Sequence, residues 1–83
     1  MSRLIKLREG ARYTIHADRI GGIVCVRRSD NASLYLQPGD DANAFRADLE
    51  SYEYNSDTMR RLGLDAADVC IDYDDLFSGG TEG

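Results

Sequence analysis

The chain has no tryptophan, one proline, one histidine and two cysteines, and from Leu62 onward it has no lysine or arginine. Each shortage excludes something. One histidine and two widely separated cysteines, Cys25 and Cys70, fall short of a structural zinc site, which needs four N/S ligands at close spacing. No CxxC occurs, and both cysteines sit in apolar stretches, so they read as buried free thiols acting as small hydrophobes. No apolar run approaches the ~18 residues that cross a bilayer. The opening residues, Met-Ser-Arg-Leu-Ile-Lys-Leu-Arg, alternate charged and apolar types and lack the apolar block of a secretory signal. The expectation is a cytoplasmic protein.

Catalytic motifs are missing as well. Gly21-Gly22 is a turn, not a phosphate-cradling loop. His16 falls in an alternating strand and reads as a sheet-packed or surface side chain. Asp74 and Asp75 are adjacent, so on a helix they diverge by about 100° instead of converging on a substrate. The run from Asp72 to Gly79 begins like a calcium-binding loop, but Leu76 and Phe77 stand where that loop needs an oxygen ligand and a glycine. No enzyme activity, metal or cofactor is expected.

What the chain does have is a lopsided charge. Residues 1–39 hold seven basic and three acidic side chains, net +4; residues 40–83 hold three basic and twelve acidic, net −9; together they give the −5 of the 83-residue chain. Its size suits one domain, 1–83, with a small core. With 42% hydrophobic residues it is too apolar for a disordered segment.

Period-2 patterning runs through the basic half. Residues 3–8 alternate loosely. Tyr13, Ile15 and Ala17 oppose Arg12, Thr14 and His16; residues 23–28 are β-branched; Leu34 and Leu36 oppose Ser33, Tyr35 and Gln37. The connections are short, which predicts an antiparallel meander of three or four strands over about 3–37. Pro38-Gly39 closes it. Period-3.6 patterning follows over about 40–77. Asp40-Asp41 starts a helix whose Phe45, Leu49 and Tyr52 form an apolar stripe. Ser56 or Asp57 caps a second, ended by Gly63, and Asp65 caps a third over 66–77. A strand through Val69-Cys70-Ile71-Asp72-Tyr73 is the rival reading of that last segment. Residues 78–83 read as a flexible tail. The fold class is α+β: a meander followed by two or three short acidic helices.

On an ideal α-helix, Ala66, Val69, Cys70, Tyr73, Leu76 and Phe77 share an arc of about 120°, and Asp65, Asp68, Asp72 and Asp75 share another of about 80°. Four carboxylates over about 15 Å match the charge density of one DNA strand, with a phosphate every ~3.4 Å. Asp74, Glu82 and the group Asp48, Glu50, Glu53 and Asp57 extend this surface. Like charges at helix spacing destabilise by ~0.2–0.5 kcal/mol per pair, and no cation after Arg61 relieves them, which leaves a partner surface and a plain solvated face of an acidic protein both open. The basic half offers a contrasting reading, in which Arg12, Arg27 and Arg28 with Tyr13 and Tyr35 make a nucleic-acid-binding sheet face. The plainer alternative is that these arginines pair with the acidic half.

In size, charge and architecture the whole chain resembles the small phage and mobile-element proteins that inhibit bacterial defence complexes, the anti-CRISPR proteins, and is similar in kind to the DNA mimics among the type I inhibitors. The resemblance implies a stoichiometric inhibitor encoded by a phage or mobile element and acting in the bacterial cytoplasm. It would bind a protein partner with a basic DNA-binding surface, a CRISPR effector subunit, and would touch neither nucleic acid nor membrane. Its partner-binding residues would be Asp65, Asp68, Asp72, Asp74, Asp75, Asp48, Glu50, Glu53 and Asp57, with Tyr52, Tyr54 or Tyr73 as anchors. The alternative is an assembly module, antitoxin-like or a phage accessory, self-associating through its basic and acidic halves. Both a monomer and a homodimer remain open.

Overall fold

The computed structural model describes residues 4–78. Four strands, β1 (Ile5–Glu9), β2 (Tyr13–Ala17), β3 (Ile23–Arg27) and β4 (Ala32–Leu36), form an antiparallel meander in the order β1-β2-β3-β4. Helices α1 (Asp40–Tyr54) and α2 (Ser56–Arg61) follow, and a 3-10 helix spans Ala66–Leu76. The α+β architecture read from the patterning is the one observed.

Alternation decides which side of the sheet is covered. Tyr13, Ile15 and Ala17 of β2, Ile23 and Cys25 of β3, and Ala32, Leu34 and Leu36 of β4 are all buried. Ala42, Phe45 and Leu49 of α1 and Ala67, Val69 and Cys70 of the 3-10 helix close over them, with Tyr52 and Tyr73 at the margin. Burying these side chains is the main source of stability. The opposite face of the sheet carries His16, Val24, Val26 and Tyr35, and no helix lies over it among the described residues.

Two glycines matter to the assembly. A Cβ on Gly10 would fall 2.4 Å from Asp65 Oδ1 and 2.7 Å from the Ala67 side chain, so the β1–β2 hairpin docks on the start of the 3-10 helix only because the position is bare. Gly63, at φ 78°, supplies the left-handed residue that turns the chain out of α2.

The segment Ala66–Leu76 is helical, Phe77 is already extended, and the rival strand does not form. Its helix type nonetheless departs from expectation. In a 3-10 helix residues advance by ~120° instead of ~100°, and the acidic arc drawn for an α-helix breaks up, Asp68 going inside, while of the expected apolar set Val69 and Cys70 are buried and Ala66, Tyr73 and Phe77 pack against the core. Four consecutive residues, Ala67, Asp68, Val69 and Cys70, are buried, and beyond a kink at Tyr73 (φ −112°, ψ 15°) Asp74, Asp75 and Leu76 are exposed before Phe77 packs back against the core beside Tyr13. Leu76, expected inside, is 57% exposed. Five aspartates and two β-branched residues give residues 65–76 poor helix propensity, so tertiary contacts set the local geometry. Ser78, expected in a flexible tail, bridges β4: its N–H donates to Ser33 O and its carbonyl accepts from Ser33 N–H, both at 2.9 Å. The rest of that tail, with Glu82, lies outside the described residues.

Candidate functional site

The structure sorts the acidic residues by what they touch. Three cross-links tie the basic sheet to the acidic helices. Arg8 of β1 pairs with Glu53 of α1. Arg12 Nη1 donates to Asp68 Oδ2 at 2.8 Å, and Arg27 Nη1 to Asp74 Oδ1 at 2.6 Å. Arg27 also holds Asp30 in a two-point contact (3.0 and 2.8 Å) and lies over the Phe77 ring, 5.2 Å from its centre. The hydrogen bond from Arg27 holds the Asp30 carboxyl down at about 2. These contacts account for much of the +4 half, whose arginines pair with acids of their own domain.

Asp68 is the most changed of the expected site residues. It is fully buried. Its Oδ2 accepts from both Arg12 and the Asp65 backbone N–H (2.9 Å), which fixes the first turn of the 3-10 helix. Asp65 Oδ2 accepts from Ala11 N at 3.1 Å, across the hairpin docked at Gly10. The other oxygens, Asp65 Oδ1 and Asp68 Oδ1, are buried without a protein partner among the described residues. Asp65 and Asp68 therefore form an internal lock, and Asp68 presents no charge to a partner.

The rest of the expected set falls in three places. Glu50 and Glu53 lie on the β1 side of α1, around a depression of about 310 Å³ shared with Leu7, Arg46 and Leu49. Asp57 sits on α2, 3.7 Å from Arg60. Asp48 and Asp72 lie on the other side, at the seam between α1 and the 3-10 helix, with Asp75 exposed beyond the kink at Tyr73. At the seam the Tyr73 hydroxyl donates to Asp48 Oδ2 at 2.9 Å, and the Phe45 and Tyr73 rings meet edge-on at 5.1 Å. Burial, and then the bond to Asp48, push the Tyr73 hydroxyl up to about 12. Burial, and then the charges of Asp72, Asp48 and Asp68, push Tyr52 upward as well.

Helical geometry adds Asp41 to this side, seven residues before Asp48. Sequence reading used Asp41 only as a helix start; its spacing to Asp48 was the available clue. Among the described residues Asp41, Asp48, Asp72 and Asp75 make no ion pair. Arg46, the only cation of α1, points away and reaches Gly21 O at 3.5 Å. The seam thus sets Asp48 and Asp72, neither in an ion pair, beside two half-buried tyrosines, with Asp41 on the same side of α1 and Asp75 exposed near the end of the 3-10 helix.

The arginine-rich nucleic-acid face does not assemble. Tyr13 is buried on the helix side of the sheet and Tyr35 lies on the bare side, bonded to Asp18 at 2.8 Å. Arg12 and Arg27 turn toward the helices, while Arg28 bonds Gly10 O at 2.7 Å. Cys25 and Cys70 are both buried and free; their mutual contact, and then burial, push the Cys70 thiol far up. Among the described residues no group of three or more His, Cys, Asp or Glu is arranged to hold a metal ion, and no helix is long and apolar enough to cross a membrane. Comparison of the chain with protein-family models, curated proteins and solved structures gave no match.

Proposed function

We propose that the chain is a non-enzymatic protein inhibitor that occupies a basic, nucleic-acid-handling surface, in the manner of the DNA-mimicking anti-CRISPR proteins of type I systems. The observation that carries this reading is the α1/3-10 seam, where Asp48 and Asp72 sit beside Tyr52 and Tyr73 without an ion pair among the described residues while Arg8, Arg12, Arg27 and Arg46 turn to other partners. Preformed carboxylates meet cations already organised for phosphates, so association is fast at low salt and weakens as salt is added. Tyr52 and Tyr73 supply rigid apolar area beside the charge, which charge alone does not. The rival reading, self-association by attraction between a basic and an acidic half, is weakened because Arg8, Arg12 and Arg27 are already satisfied within the domain.

The test is competition. Purified type I surveillance complexes are titrated with the protein, and binding of a fluorescent target duplex is followed. Loss of duplex binding at near-equimolar protein, recovered by added salt, is expected. Undiminished duplex binding at large excess, across type I subtypes, would sink the proposal.

A further inference from the structure

The two edges of the sheet are not alike. The β4 edge is engaged by Ser78. The β1 edge has no strand beside it among the described residues, and every residue of β1 is exposed. Ile5 is 60% exposed. An open edge carrying apolar side chains is a template for another strand.

A bulge in β1 says which strand fits. Ile5 pairs with Ala17 and Lys6 with His16, but the register then skips Leu7, and Arg8 and Glu9 pair with Ile15 and Thr14. Ile5, Leu7 and Arg8 consequently lie on the helix side, the last two through the depression beside α1 and the contact with Glu53. Lys6 and Glu9 lie on the bare side and bond each other at 2.9 Å. Now let β1 meet a second copy of itself antiparallel. Placing Lys6 opposite Arg8 would oppose like charges and mismatch the faces. Placing Ile5 opposite Arg8 would set Lys6 against Leu7, again on opposite faces. Placing Lys6 opposite Glu9 makes every face agree: Leu7 meets Arg8 on the helix side, and two Lys6–Glu9 pairs form on the bare side.

Helix α1 is self-complementary under the same two-fold axis. Arg46 reaches Gly21, at the end of the sheet where Ile5 pairs, and Glu53 meets Arg8 at the other end, so α1 runs along β1. An antiparallel β1 pair carries Arg46 of each copy to the Glu50 and Glu53 end of the other, over a trough lined by Ile5 and Leu7 from both.

We propose that the protein forms a two-fold dimer through β1, a continuous eight-stranded sheet with Lys6 of each copy opposite Glu9 of the other. The Asp48/Asp72 seam lies on the far side of α1 and stays free, so this proposal stands apart from the inhibitor reading. A contact of one strand pair and one helix end is expected at the small end of stable interfaces, with assembly at roughly tens of micromolar protein.

Sedimentation velocity tests it. Wild-type protein is expected to be a dimer at that concentration; a monomer at several hundred micromolar overturns the proposal. Lys6→Glu and Glu9→Lys each convert two attractive pairs into repulsive ones and weaken the dimer by about tenfold or more. An equimolar mixture of the two variants restores opposite charges at both pairs, so a heterodimer forms where neither variant dimerises alone. Both variants lose the Lys6–Glu9 bond within the chain, mixed or apart, so restoration reports only the pairing between copies. A variant that dimerises like the wild type, or a mixture that stays monomeric, overturns it.

Discussion

Arg12 reaches from the β1–β2 hairpin to Asp68, fifty-six residues later, and holds its fully buried carboxylate at 2.8 Å. The guanidinium itself is half exposed and also donates to Gly63 O at 3.2 Å. One side chain thus joins the hairpin, the exit of α2 and the start of the 3-10 helix. Of the four oxygens of Asp65 and Asp68, the two bonded ones face this junction and the two unbonded ones are sealed away from water.

Removing Arg12 leaves a buried carboxylate with no cation and a single backbone donor. Stripping a partner from a buried pair costs up to ~3–5 kcal/mol, but water can enter from the arginine side here. Arg12→Ala is expected to lower unfolding free energy by about 2 kcal/mol, read from urea titration at neutral pH. Arg12→Lys should recover only part of this, since it cannot serve Asp68 and Gly63 O together. A loss below about 0.5 kcal/mol, the level of a surface pair, would contradict the junction.

Tyr73 provides a test in alkali. Its hydroxyl is held at about 12 in the fold by burial and by Asp48, against ~10 in an unfolded chain. A group whose folded value is raised lends stability that is fully present below ~10 and is lost as pH climbs toward 12. Stability is therefore expected to fall over that window. Tyr52 and Tyr13, raised in the same direction by burial, add to the slope. Tyr73→Phe should flatten the dependence measurably in urea titrations at successive pH values; an unchanged slope would remove Tyr73 from the seam.

The paired thiols predict silence. Cys25 and Cys70 are fully buried, and the Cys70 thiolate is disfavoured by its neighbour and by burial. The thiolate is the reactive form, so both should resist an aromatic disulfide reagent in native buffer and react together once the chain unfolds. Stoichiometric labelling within seconds under native conditions would show that the 3-10 helix opens freely.

Much of the fold was legible because its signals are local. Tyr13, Ile15 and Ala17 alternate, and all three are buried; Phe45, Leu49 and Tyr52 recur at helical spacing, and the first two are buried while Tyr52 packs half-buried at the margin. The last helix misled for a geometric reason. Its acidic arc was drawn at α-helical pitch, whereas 3-10 pitch and the kink at Tyr73 redistribute the same residues. Asp68 left the surface because of Arg12, a contact that no local window contains. Asp74 and Glu53 likewise went to Arg27 and Arg8. Long-range pairing of opposite charges has no period, so the sequence could offer the two halves and their imbalance but not the partners.

That redistribution makes the inhibitor reading sharper to test. Reversing charge at Asp48, Asp72 and Asp75 together alters exposed positions that make no ion pair, so stability should change by no more than ~1 kcal/mol beyond the loss of the Tyr73 bond. Binding to a basic partner should weaken by tenfold or more at low salt, mostly through slower association, and its salt dependence should flatten. Asp68→Asn should do the opposite: it loosens the junction with Arg12 and lowers stability, yet leaves binding of the folded protein intact, because that carboxylate never meets solvent. Calorimetric binding paired with urea unfolding separates the two. If Asp68→Asn abolished binding while the seam reversal spared it, the partner surface would have to lie around the hairpin and not between α1 and the 3-10 helix.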